Sequence, residues 1–76
     1  MPDTPRLVIG SATLEVLGMS TRARARAVLL EVYALTGVAS ATADPATSTL
    51  TVIAAAPIDR AGIAAAARRA GHDVVP

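Results

Sequence analysis

Ala12-Thr13-Leu14-Glu15-Val16-Leu17-Gly18-Met19-Ser20-Thr21-Arg22-Ala23-Arg24 is the stretch on which the fold turns. Its first half alternates. Leu14 and Val16 fall on one side of an extended chain, with Thr13 and Glu15 on the other, the pattern of a strand with one buried face. Gly18 breaks the alternation. Over residues 21–36 the period becomes helical, with Ala25, Val28, Val32 and Leu35 on one stripe and Leu29 beside it. Ser20 or Thr21 can cap the helix's first amides, and Gly37 can close its end in a left-handed conformation.

Beyond this unit the pattern continues in the same alternation of elements. Residues 38–43 read as a weaker strand ended by Asp44-Pro45, a turn former, and residues 49–53 as a β-branched strand. Asp59 sits at the N-cap of a second helix, with Ile58 before it and Ile63 inside as a hydrophobic staple. Ile63, Ala66, Ala67 and Ala70 form that helix's inner stripe, and Gly62 with the alanines lets it lie close to a sheet. Gly71 ends it, and His72-Asp73-Val74-Val75 reads as a short last strand. The order βαββαβ predicts an α+β, ferredoxin-like sandwich: a four-stranded antiparallel sheet with both helices on one face. Residues 12–76 are expected to form the single domain. Residues 1–11 are expected to be an N-terminal tail, flexible above all over 1–6, where two prolines and an aspartate stand.

Composition bounds the chemistry. Seventy-six residues make one small domain, and an apolar fraction of 53% is enough to fold it. The core must be shallow, because Tyr33 is the only aromatic and eighteen residues are alanine. No apolar run approaches the ~18–20 residues that span a bilayer. Leu7-Val8-Ile9 is too short for a signal-peptide core, so a cytoplasmic protein is expected. Without cysteine there are no disulfides and no thiol chemistry. A net charge of +1 argues against a general nucleic-acid binder, and the strands carry no stacking aromatics. A single histidine, no nucleophile with a legible base partner and no glycine-rich phosphate loop argue against an enzyme. Asp44 and Asp59 have roles as turn former and cap, and Asp73 and Glu15 as exposed strand residues. Glu31 sits at the helix edge, able to pair with a nearby arginine.

Leu14-Glu15-Val16-Leu17-Gly18-Met19 resembles the first strand and the GM of heavy-metal-associated (HMA) domains, the modules of copper chaperones and metal-transporting P-type ATPases. Val28 stands four residues after the second cysteine position of that family's GMxCxxC loop, and Gly37-Val38 falls at its GV. Ala70-Gly71-His72-Asp73-Val74 is similar to its closing AGYxV, with His72 in place of tyrosine. The matches run from residue 13 to 75. The resemblance implies the ferredoxin-like fold, with Met19 packed beneath the loop, and a place in heavy-metal transport. It also exposes a loss. Thr21 and Arg24 stand where two thiolates would hold a soft cation.

That loss reverses the electrostatics. Threonine is a weak, neutral ligand, and arginine stays protonated and cannot ligate. A unit charge at ~4 Å from a monovalent cation costs about 4 kcal/mol at an effective dielectric near 20. The positive end of the helix dipole adds to the repulsion, as do Arg22 and Arg26. The loop Met19, Ser20, Thr21, Arg24 is therefore read as a degenerate metal site, with no metal and no other cofactor expected. Met19 and His72 are weak alternative ligands for copper(I), which accepts thioether and imidazole.

The arginines suggest another use. Arg22, Arg26, Leu30 and Tyr33 fall together on the helix face away from the Val28/Val32/Leu35 stripe, a mixture that binding surfaces favour. Arg68 and Arg69 read as solubilising residues on the second helix. Two functions are weighed. The first is a protein-interaction or regulatory domain of a metal-transport system, docking on a metal-transporting membrane ATPase or forming its non-catalytic N-terminal domain. The second is a divergent metal-trafficking domain built on Met19 and His72, shared across a homodimer. Neither involves nucleic acid or membrane insertion.

Overall fold

The computed structural model describes residues 7–75. Its elements are β1 (Leu7–Glu15), α1 (Arg22–Tyr33), β2 (Val38–Asp44), β3 (Thr49–Asp59) and α2 (Arg60–Arg69). The sheet is antiparallel with β3 in the middle, in the order β1-β3-β2. The register aligns Leu14 with Leu50 and Ala43, and Ala12 with Val52 and Ala41. Side chains alternate across a strand, so these six share the face that the helices cover. The opposite face carries the rows Thr13–Thr51–Thr42 and Ser11–Ile53–Ser40, hydroxyls that water can satisfy and one exposed isoleucine.

The fourth strand expected over residues 72–75 is reduced to a single bridge, Val16 to Val74. Two hydrogen bonds flank it: Leu17 N–H donates to the Asp73 carbonyl at 2.8 Å, and Val75 N–H to Glu15 at 2.9 Å. The chain leaves α2 through a left-handed turn at Gly71 and meets β1 at this one bridge. The arrangement is ferredoxin-like in layers and order, with three strands among the described residues and this short contact at the open edge of β1.

β1 is longer than its alternation suggests. It opens at Leu7 rather than Ala12, because β3 extends past Ile53 to Asp59 and pairs Leu7 with Asp59 and Val8 with Ile58. A register shift between Val8 and Gly10 interrupts the two-residue period that would have shown this. Residues 7–11 therefore belong to the sheet and not to a tail. The flexible stretch expected at 1–6 lies outside the described residues, as does Pro76.

Both helices start as their caps dictate. The Thr21 hydroxyl accepts from Arg24 N–H at 3.2 Å, and the Asp59 carboxylate from Ala61 N–H at 2.9 Å. α1 ends at Tyr33, a turn earlier than expected. Ala34 and Leu35 donate to Glu31 and Val32, tightening the last turn, and Gly37 (φ 97°) redirects the chain into β2. α2 closes with Gly71 N–H on the Arg68 carbonyl and His72 N–H on Ala67, a Schellman pair that requires the positive φ of Gly71 (94°). Between helices and sheet, Met19, Val16, Val28, Val32, Leu50, Val52, Ile63, Ala66 and Ala67 are wholly buried, with Leu14, Ile58 and Ala25 nearly so. No polar side chain is buried among the described residues, so burial of these aliphatic groups, about 1.5–3 kcal/mol for each large one, carries the fold. No helix among them is long and apolar enough to cross a membrane.

Candidate functional site

The loop between β1 and α1 is built from the inside out. Met19 has no exposed surface, so its side chain plugs the core under the loop. Gly18 adopts φ 79°, and a Cβ there would stand 3.2 Å from His72 Nδ1. Glycine is thus required twice, by conformation and by the close histidine. His72 Nδ1 lies 2.9 Å from the Leu17 carbonyl. A carbonyl only accepts, so Nδ1 carries the proton and Nε2 keeps its lone pair in the neutral ring. The histidine ties the C-terminal segment to the loop.

The positions that resemble ligand positions have structural work. Thr21 directs its oxygen to the helix amides rather than outward. Arg24 folds back, with Nη1 3.4 Å from the Gly18 carbonyl, which also accepts from Ser20 N–H at 2.9 Å. Met19 is wholly buried and His72 only partly exposed, so an ion held by the Met19 sulfur would have to reach into the core. No cluster of three or more histidine, cysteine or carboxylate side chains occurs among the described residues.

The helix-face patch is divided by the fold. Arg22 and Arg26 line a cavity of about 470 Å³ with Ala25, Leu29, Ala43 and Pro45, a groove between the first turns of α1 and the end of β2. Leu30 points outward, 69% exposed. Tyr33 reaches over β2, where its hydroxyl donates to the Ala41 carbonyl at 3.1 Å and accepts from Ala41 N–H at 2.9 Å. The groove was not legible in the sequence, because Ala43 and Pro45 meet the arginines only once β2 lies beside α1. Glu31 finds its arginine in Arg69 of α2, at 3.1 Å, so Arg69 joins the two helices besides solubilising one. No ion pair of Arg22, Arg24 or Arg26 occurs among the described residues.

The charge placement on α1 runs against helix stability. Three arginines occupy its positive end, with no acid in the first turn and no base in the last. α2 also begins with a cation, Arg60, and has no acid in its first turn, but a carboxylate, Asp59, caps it and Arg68 and Arg69 stand in its last turn.

No protein-family model and no curated protein matches this sequence. Solved structures do. The CopZ metallochaperone superposes with a TM-score of 0.78 at 26% identity, covering 86% of this chain and 98% of that one. The N-terminal domain of ZntA in its apo form gives 0.78 at 33% identity, covering 87% and 89%. A protein from Bacillus anthracis str. Ames described as copper-ion-binding gives 0.75 at 30% identity, covering 86% and 93%. Likeness over nearly the whole of both chains, at a third of positions identical in one case, joins the sequence pattern around Gly18-Met19 and the α+β layers: this chain belongs to the heavy-metal-associated domain family, as a member whose sequence holds no cysteine.

Proposed function

We propose that this domain is a non-catalytic protein-interaction module of a heavy-metal transport system, acting through the arginine groove of α1 rather than through a loop-bound ion. The three structural neighbours, a metallochaperone, the N-terminal domain of ZntA and a protein described as copper-ion-binding, support the setting. The observation that carries the interaction reading is the cationic start of α1. Arg22 and Arg26 flank an open, partly apolar groove, with no acid in the first turn of α1 and at a helix end where cations are disfavoured. A sequence that breaks a local stability rule commonly does so at a functional surface. The complementary partner presents carboxylates: an acidic segment of a transporter domain, whose side chains can pair bidentately with guanidinium. Thr21 and Arg24, engaged in capping and in holding the Gly18 carbonyl, support a loop that serves as scaffold.

The test is an NMR titration of the labelled domain with the cytoplasmic metal-binding domain of a copper-type ATPase from the same genome. Shift changes are expected at Arg22, Arg26, Leu29, Leu30 and Ala43. Arg22→Glu with Arg26→Glu should weaken binding at least tenfold. Binding by the double variant at unchanged affinity would remove the groove from the account. A parallel titration with copper(I) under reducing conditions is expected to show no saturable one-to-one site. A stoichiometric site abolished by His72→Ala would instead favour the metal-trafficking alternative at Met19 and His72.

A further inference from the structure

β2 forms an outer edge of the sheet, with β3 on one side and, among the described residues, no strand on the other. Exposed edges template pairing with further chains, and proteins blunt them with lysine, proline, inward charges or bulges. Residues 38–43, Val-Ala-Ser-Ala-Thr-Ala, contain no charge and no proline, and their side chains are small. The register shift between Val38 and Ser40 disturbs only the start of the strand. In an antiparallel ladder, alternate residues direct both backbone groups inward or outward. Ala41, opposite Val52, directs its N–H and C=O outward, and both meet the hydroxyl of Tyr33. One side-chain oxygen thereby satisfies the two groups at the middle of the strand that an incoming strand would need first.

We infer that Tyr33 is an edge guard, keeping β2 closed to strand addition by a second copy of this chain. A second copy suits the open edge. Antiparallel self-pairing centred on Ala41 sets Asp44 against Val38 of the second copy, so no like charges meet. The small side chains also allow close approach. The inference is independent of the arginine groove, because it concerns the hydroxyl of Tyr33 and the backbone of Ala41.

Tyr33→Phe tests it, since the ring and its packing stay while the hydroxyl goes. Two measurements are needed: sedimentation velocity over a concentration series up to the millimolar range, and amide hydrogen exchange at Ala41 in dilute, monomeric solution. Wild type is expected to remain monomeric with Ala41 protected. The variant is expected to lose about fivefold in protection, as for one ordinary hydrogen bond, and to dimerise on concentration, with shift changes confined to residues 38–44. Any one of four results overturns the inference: a variant that stays monomeric, Ala41 exchange unchanged by the substitution, association through another surface, or a wild type that already pairs through β2.

Discussion

α1 and α2 lie side by side on the same face of the sheet, yet they differ in their caps, their last turns and their outer faces. α2 is the more consistent of the two, although Arg60 stands at its first position. A carboxylate caps its start, arginines occupy its last turn, Ile63, Ala66 and Ala67 fill its inner stripe, and a left-handed glycine closes it. α1 has an equally sound inner face in Ala25, Val28 and Val32, but its outer face is unfavourable for a helix alone. Cations crowd its positive end, Leu30 stands in water, and Tyr33 leans over a strand edge. α2 can be explained by the stability of this domain. The outer face of α1 cannot, which is why the functional proposal rests there.

The comparison can be broken most severely through the inner faces. Ile63→Ala, in a site with no exposed surface, should destabilise the domain by about 2–5 kcal/mol, read by urea unfolding. In a domain this small such a loss would leave a large unfolded fraction. The caps come next: Asp59→Ala and Thr21→Ala should each cost about 1 kcal/mol, lowering the unfolding midpoint without altering its slope. A cap effect confined to Asp59 would mean that α1 is held by packing alone.

Arg22→Glu sharpens the contrast because its sign is reversed. Replacing a cation by an acid in the first turn should stabilise the fold by about 0.3–1 kcal/mol while weakening partner binding. A loss of stability instead would mean that the arginine serves the fold. Glu31→Gln, which removes the exposed pair with Arg69, should cost at most about 1 kcal/mol, and less in high salt. Leu30→Ser should move stability by no more than about 0.5 kcal/mol, since 69% of the residue is already in water. Thermal unfolding of the last two at low and high salt separates their effects.

Much of the fold could be read because its signals are local. Leu14 and Val16 show period two over a stretch without bulges, and Val28 and Val32 show the helical period. The Asp59 cap with Ile58 and Ile63 is a start signal contained within a few residues. The start of β1 is not legible in the sequence because the Val8/Gly10 register shift spoils alternation, and because residues 7–11 become a strand only by pairing with an extended β3. The last strand shows the converse. Val74 and Val75 look like a strand, but length of pairing depends on what β1 offers, and that is one bridge. At the candidate site, burial of Met19 followed from the family resemblance. Arg22 and Arg26 were visible as charges, whereas the groove they line and the true use of the Tyr33 hydroxyl were not.

The sequence by itself determined the element order, the caps, the core stripes and the absence of thiolate ligands, because each depends on residue types at short separations along the chain. Tertiary structure alone decided which atoms the outer face of α1 meets: Ala43 and Pro45 beside the arginines, Ala41 beneath Tyr33, Arg69 beside Glu31. These contacts join residues from different elements, and their geometry follows from how the helices cross the sheet. Side-chain periodicity reports which face a residue takes, and packing sets what lies opposite it.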